Sequence, residues 1–247
     1  MVTGSDGAGR FRALHHGRAA DDPLVLPGPW DAASARVFAE AGFPALATPS
    51  AGVAASLGYA DGSTPADEMF AAVARIARAV DVPVSADVED GYGLAPKELV
   101  ERLLEAGVVG CNLEDSADGV LKDPAEHAEW LAGVREAAGD RLFLNARVDT
   151  FVRGVDAPEA AIERAAAYVA AGADCVYPIA APVAVLPLLR AGIQGPMNVL
   201  ARPGDGPSPA ELGGLGATRI TFGPGLQRHA EQAVRENAER LATRPTG

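Results

Sequence analysis

One pattern limits what this chain can fold into. Short apolar runs alternate eight times with helix-forming segments, and most connections between them are short. The runs lie at residues 24–30, 45–48, 82–89, 108–115, 141–149, 175–179, 196–200 and 219–222. Helical segments follow at 34–40, 65–80, 96–105, 124–138, 158–171, 183–190, 209–215 and 226–242. Several of these helices stop at Ala-Gly or Leu-Gly: Ala41-Gly42, Ala106-Gly107, Ala171-Gly172 and Leu215-Gly216. Glycine just past a helix is a common stop signal, and Pro124 at a first turn is a matching start signal. Strands separated by helices pair in parallel through right-handed crossovers. Eight such units in about 220 residues predict an α/β fold, a (β/α)8 TIM barrel in one domain over residues 23–243. Residues 1–22 read as an N-terminal tail with room for a helix. Pro49 to Thr64, rich in Gly, Ser and Ala, reads as a long loop. A doubly wound open sheet is the competing architecture. It lacks support, because neither G-x-G-x-x-G after the first strand nor a G-x-x-x-x-G-K-[ST] loop is present.

Composition narrows the partners. The net charge of −12 opposes binding to a nucleic-acid backbone or an anionic membrane. It leaves room for a small anionic substrate, since a local Arg or a metal can reverse the field within one pocket. Cys111 and Cys175 both sit in apolar runs and read as reduced core thiols. With no run of 18 apolar residues and no leader pattern near Met1, a cytoplasmic location is expected. His15 and His16, adjacent in sequence, read as a solvated pair. His127 reads as exposed, and Lys122 as a solvated loop lysine.

The polar residues gather at one end of the predicted strands. A barrel places its chemistry at the carboxyl ends of its strands. There this sequence has Trp30 and Asp31, Thr48 and Ser50, Asp87 and Glu89, Asn112 and Glu114, Asn145, Arg147 and Asp149, and Asn198. Side chains two apart on a strand leave from one face. Asp87 with Glu89, Asn112 with Glu114, and Asn145 with Arg147 and Asp149 are therefore expected to converge. Carboxylates held side by side repel unless a cation joins them. An all-oxygen donor set without clustered His or Cys suits Mg²⁺ or Mn²⁺. Arg147 must be paired if buried, either with a neighbouring acid or with a substrate carboxylate, and the second is the expectation.

Five segments together resemble the phosphoenolpyruvate mutase/isocitrate lyase superfamily: Trp30-Asp31-Ala32-Ala33-Ser34-Ala35, the stretch from Ser50-Ala51-Gly52 to Tyr59-Ala60-Asp61-Gly62, Asp87-Val88-Glu89-Asp90-Gly91-Tyr92-Gly93, Asn112-Leu113-Glu114-Asp115, and Asn145-Ala146-Arg147-Val148-Asp149. The resemblance runs from about Leu24 to Leu226 and implies a Mg²⁺ site, a 2-oxo-acid substrate and an enolate intermediate. By position it implies metal ligation by Asp87, Glu89 and Glu114, and a carboxylate cradle from Ser50, Ala51 and Gly52. Trp30 and Asp31 join the substrate pocket, Asp61 is the acid of a mobile loop, and Arg147 binds substrate; Asn198, from its strand-end position alone, is a further substrate-binding candidate. The implied function is a lyase cleaving a C–C bond of a small 2-oxo or 2-hydroxy (di)carboxylic acid. P–C chemistry on a phosphonopyruvate-like substrate and a non-catalytic 2-oxo-acid-binding barrel are the alternatives. The lyases' Lys-Lys-Cys-Gly-His motif is absent, for this chain reads Ser116-Ala117-Asp118-Gly119-Val120-Leu121-Lys122 there. The mutase gating segment is absent too. The resemblance also implies a homo-oligomer, dimer or tetramer, in which the terminal helix can be exchanged.

Overall fold

The computed structural model describes residues 5–204 and 206–242. The expected domain limit at residue 243 and the first four residues of the expected tail lie outside these. The chain forms a (β/α)8 barrel. Helix α1 (Ser5–Ala13) precedes β1 (Leu24–Val25), α2 (Ala32–Glu40), β2 (Leu46–Ala47), α3 (Ser50–Leu57), α4 (Ala66–Ala77), β3 (Val84–Asp87), α5 (Pro96–Glu105) and β4 (Gly110–Leu113). A small hairpin of β5 (Ser116–Ala117) and β6 (Val120–Leu121) follows, then α6 (Pro124–Ala138), β7 (Phe143–Val148), α7 (Pro158–Ala170) and β8 (Cys175–Pro178). The chain ends with α8 (Leu186–Gly192), β9 (Asn198–Leu200), α9 (Pro209–Gly214), β10 (Arg219–Thr221) and α10 (Gly225–Ala242).

Eight strands are parallel in two runs, β2-β3-β4-β7-β8 and β1-β10-β9. A bridge between Val176 and Met197 closes one seam. The bond from Ala47 N–H to Pro27 O, 3.1 Å, closes the other. Strand β7 is buried at all six positions, as expected where helices cover one face and the barrel interior the other. The helices turn apolar stripes inward: Met69, Phe70, Val73 and Ile76 on α4, and Leu99, Val100 and Leu103 on α5.

The N-terminal segment is structural. Helix α1 lies beneath the barrel, with Ala8 and Phe11 wholly buried in a cluster with Leu24, Leu26, Val109 and Phe143. Arg12 fastens it through Asp174 at 2.8 Å. His15 departs from the solvated reading. It is 3% exposed, stacks on Phe143 with ring centroids 4.1 Å apart, and bonds Phe11 O through Nδ1 at 2.8 Å. Burial, reinforced by Arg219, holds its pKa down at about 3. His16 is exposed as expected. His127 also corrects its reading, for it is buried between Trp130 and Tyr168 on the inner face of α6. Lys122 is not free: it pairs with Asp90 at 3.3 Å and lies over the Trp130 ring.

Residues 50–57, expected within a loop, form α3. Its alanines favour a helix, but Ser50, Gly52 and Ser56 do not, and no amphipathic stripe marks it. Burial of Ser50, Gly52, Val53 and Ala54 against the barrel stabilises the helix instead.

Candidate active site

The site begins with one layer of the barrel. Asp87, Asn112 and Asn145 are consecutive partners across β3, β4 and β7. Asn145 Nδ2 donates to Asn112 Oδ1 at 2.7 Å, which joins two of these strands by side chains. From below, the buried Arg219 on β10 donates to the same oxygen at 3.3 Å. In the next layer Arg147 stands beside Tyr177 on β8.

Glu89 reaches the site by a different route from the one strand parity suggests. Strand β3 ends at Asp87, and Glu89 takes a left-handed conformation with φ 54°. Gly91, φ 88°, and Tyr92, φ 56°, continue the turn. The Asp87 carboxylate accepts from Glu89 N–H at 3.3 Å, and Glu89 O accepts from Glu114 N–H at 2.8 Å. A turn held by its own hydrogen bonds therefore puts three carboxylates at the rim.

Opposite them, α3 begins at Ser50. Its first amide groups have no partner four residues back and carry the positive end of the helix dipole, an arrangement suited to an anion. Ser50 Oγ donates to Asp87 Oδ2 at 3.1 Å, so helix and metal-candidate strand are joined directly. Arg147 is clamped. It pairs with Glu114, and its Nε and Nη2 donate to Asp149 at 2.6 and 3.1 Å. Asp149, and Glu114 when ionised, hold it firmly protonated against its burial.

These groups wall a cavity of about 600 Å³ at the carboxyl ends of the strands. Ser50, Ala51, Asp61, Asp87, Glu89, Glu114 and Arg147, all expected at the site, line it. Burial raises the pKa of Asp87. Burial, with Asp87 and Asp61 nearby, pushes Glu89 up to about 7. Burial outweighs Arg147 at Glu114 and pushes it up to about 8. Glu89 Oε1 is buried with no partner in good hydrogen-bond geometry among the described residues; its neighbour is the Tyr92 hydroxyl. A buried carboxylate oxygen so placed, among acids that resist ionising together, fits a hard divalent cation. No ready-made group of three ligands is present among the described residues, because Glu114 is turned to Arg147.

Four expected residues lie off the cavity wall. Asp31 caps α2, its carboxylate accepting from Ser34 N–H at 2.7 Å. Trp30 packs edge-on to Phe38 in an outer groove between α2 and α10. Gly52 is the spacer of the α3 turn, where an added Cβ would sit 2.9 Å from the Pro49 ring. Asn198 is wholly buried and donates to Thr221 Oγ1 at 3.1 Å, supporting a residue that does line the cavity. Sequence reasoning missed Tyr92, Ser116 and Arg153, which also line it. The first stands on the left-handed turn. The others come from the hairpin and from a 3-10 turn after β7, two elements without a periodic signal.

The profile of the phosphoenolpyruvate phosphomutase family matches residues 11–242. The chain belongs to the phosphoenolpyruvate mutase/isocitrate lyase superfamily. A Mycobacterium tuberculosis relative of uncharacterized function is 36% identical over 215 residues, 86% of this chain and 81% of that one. Corynebacterium glutamicum "Probable 2-methylisocitrate lyase 2" is 35% identical over 68% of this chain and 58% of its own length. A Burkholderia cenocepacia structure described as a phosphonomutase is 39% identical, with TM-score 0.86 over 94% of this chain and 99% of its own. A phosphonopyruvate hydrolase with oxalate and Mg²⁺ bound shares the fold at 21% identity and TM-score 0.85, over 96% of this chain and 87% of its own. The superfamily thus contains both lyases and P–C enzymes. Among the described residues no helix is long and apolar enough to cross a membrane.

Proposed function

We propose that this chain is a Mg²⁺- or Mn²⁺-dependent lyase that cleaves a C–C bond of a small 2-oxo or 2-hydroxy (di)carboxylic acid through an enolate. One observation carries the reading: Asp87, Glu89, Glu114, Arg147 and the first turn of α3 face one 600 Å³ cavity. Asp87 and Glu89 would hold the cation directly, and Glu114 would hold it through water while keeping Arg147 in place. Bound there, the cation supplies Lewis-acid stabilisation of negative charge on a substrate oxygen. The amides at Ser50 and Ala51 orient the substrate carboxylate, and Ser50 keeps Asp87 directed into the cavity. Arg147 places a fixed positive charge where charge develops. Asp61, exposed on the segment between α3 and α4, is the acid that can approach or leave the substrate as that segment moves.

A second reading, P–C bond chemistry, is favoured by the 39% identity to the phosphonomutase-described structure. One assay separates the two. With Mg²⁺ present, the protein is offered oxaloacetate, substituted malates, isocitrates and phosphonopyruvate, while pyruvate, glyoxylate and phosphate are followed. Release of a 2-oxo acid from a malate or isocitrate supports the lyase. Turnover of phosphonopyruvate alone rejects it. No turnover, with tight binding of oxalate, would instead support a binding protein.

A further inference from the structure

Among the described residues, Arg153 lines the cavity and pairs with no carboxylate. Arg147 is clamped between Glu114 and Asp149, and Lys122 nearby is paired with Asp90. Arg153 lies in the short turn Phe151–Arg153 after β7 and lines the same cavity. Its side-chain hydrogen bonds among the described residues go to a neutral oxygen: Nε and Nη2 donate to Ser116 Oγ at 3.1 and 3.0 Å. Ser116 Oγ in turn donates to Asp149, the partner of Arg147. The guanidinium plane is thereby fixed from one side. Its third nitrogen, Nη1, faces the hairpin tip at Gly119, where an added Cβ would lie 3.9 Å away. Gly119 takes φ 81°, a conformation that favours glycine, so the tip beside Nη1 carries no side chain.

We propose that Arg153 determines specificity by binding a second acidic group, at the far end of the substrate from the reacting 2-oxo or 2-hydroxy acid. The inference rests on reading the cavity as a carboxylate site. On that reading the near carboxylate is served by the α3 amides and Arg147 is held at the reacting centre, which leaves Arg153 for another acidic group. A planar guanidinium recognises carboxylate by paired donors, which a lone water would not match in geometry or charge. The cavity volume of about 600 Å³ leaves room beyond a three-carbon acid.

The test compares acids that differ only at the far end. Oxalate, 2-oxopentanoate and 2-oxoglutarate are titrated by calorimetry, with Mg²⁺, into the wild-type chain, Arg153→Met and Arg153→Lys. The wild type should prefer 2-oxoglutarate to 2-oxopentanoate by roughly tenfold, the scale of one charge-assisted contact. Arg153→Met should erase that preference and leave oxalate affinity and the melting temperature nearly unchanged. Arg153→Lys, which keeps the charge and loses the fork, should restore part of it. If Arg153→Met keeps the preference, or loses oxalate affinity equally, Arg153 only fastens the hairpin and the proposal is overturned. If the wild type binds oxalate but does not distinguish the five-carbon acids, the proposal alone fails. If it binds none of the three, the carboxylate-site reading fails and takes the proposal with it.

Discussion

Asp87 is where the site is most sensitive. It accepts hydrogen bonds from Ser50 Oγ and Glu89 N–H, and burial penalises its charge. Asp87→Asn keeps the shape and removes the charge. Metal affinity by calorimetry should fall by at least ~100-fold while the melting temperature holds. Intact metal binding in that variant would displace the metal site from β3. The neighbouring acids give a pH signature. Glu89 and Glu114 are raised from 4.5 to about 7 and about 8. Between those values and 4.5 the folded chain holds protons that the unfolded chain has released. Their contribution to stability is complete below about pH 4.5 and is lost as pH rises through 7 and 8. His15 and His127 act oppositely. Lowered from 6.5 to about 3 and about 4, they stabilise above 6.5 and cease to do so as pH falls. Above about pH 6.5 the carboxyls dominate this balance. Metal-free protein should therefore melt lower at about pH 8.5 than at about pH 6.5, and Mg²⁺ should remove the difference. A metal-free melting temperature that rises over this range would refute the assignment.

At the scale of elements, legibility followed periodicity. The strands and long helices were readable because apolar residues recur at fixed spacing on faces that the barrel buries. Asp87, Glu114 and Arg147 were readable because they lie at or beside the carboxyl ends of such strands. Helix α3 was not, because small residues on both its buried and its exposed positions leave no apolar stripe. The β5-β6 hairpin was not, because each strand is two residues long and Val120 is 69% exposed. Glu89 reaches the cavity by a route that strand parity does not give: the left-handed turn brings it there. That turn depends on Gly91, whose φ of 88° suits glycine and whose added Cβ would meet the Trp130 ring at 2.9 Å. Gly91→Ala should cost about 1–3 kcal/mol in chemical denaturation and weaken metal binding by misplacing Glu89. An unchanged denaturation midpoint would show that the turn tolerates a side chain.

At the scale of the whole molecule, helix α10 leaves apolar side chains uncovered among the described residues. It exposes Leu241, 84%, and also Val234, 68%, which lines an outer pocket with Trp30. A homo-oligomer through this face is expected, and light scattering should report a dimer or tetramer that Val234→Glu weakens. A wild-type monomer at tens of micromolar would set that expectation aside. The helix beneath the barrel has a consequence of another kind. With Phe11 and His15 packed against Phe143, the lower end is sealed, and traffic is confined to the upper rim. If cleavage yields two fragments, both must leave by the door through which the substrate entered. The fragment nearer the rim departs first, and the one against Asp87 and α3 departs last. The late-leaving fragment should then compete directly with fresh substrate, whereas the early one should not. Product inhibition would thus reveal the order of departure, a kinetic asymmetry written by a plug at the opposite end of the molecule.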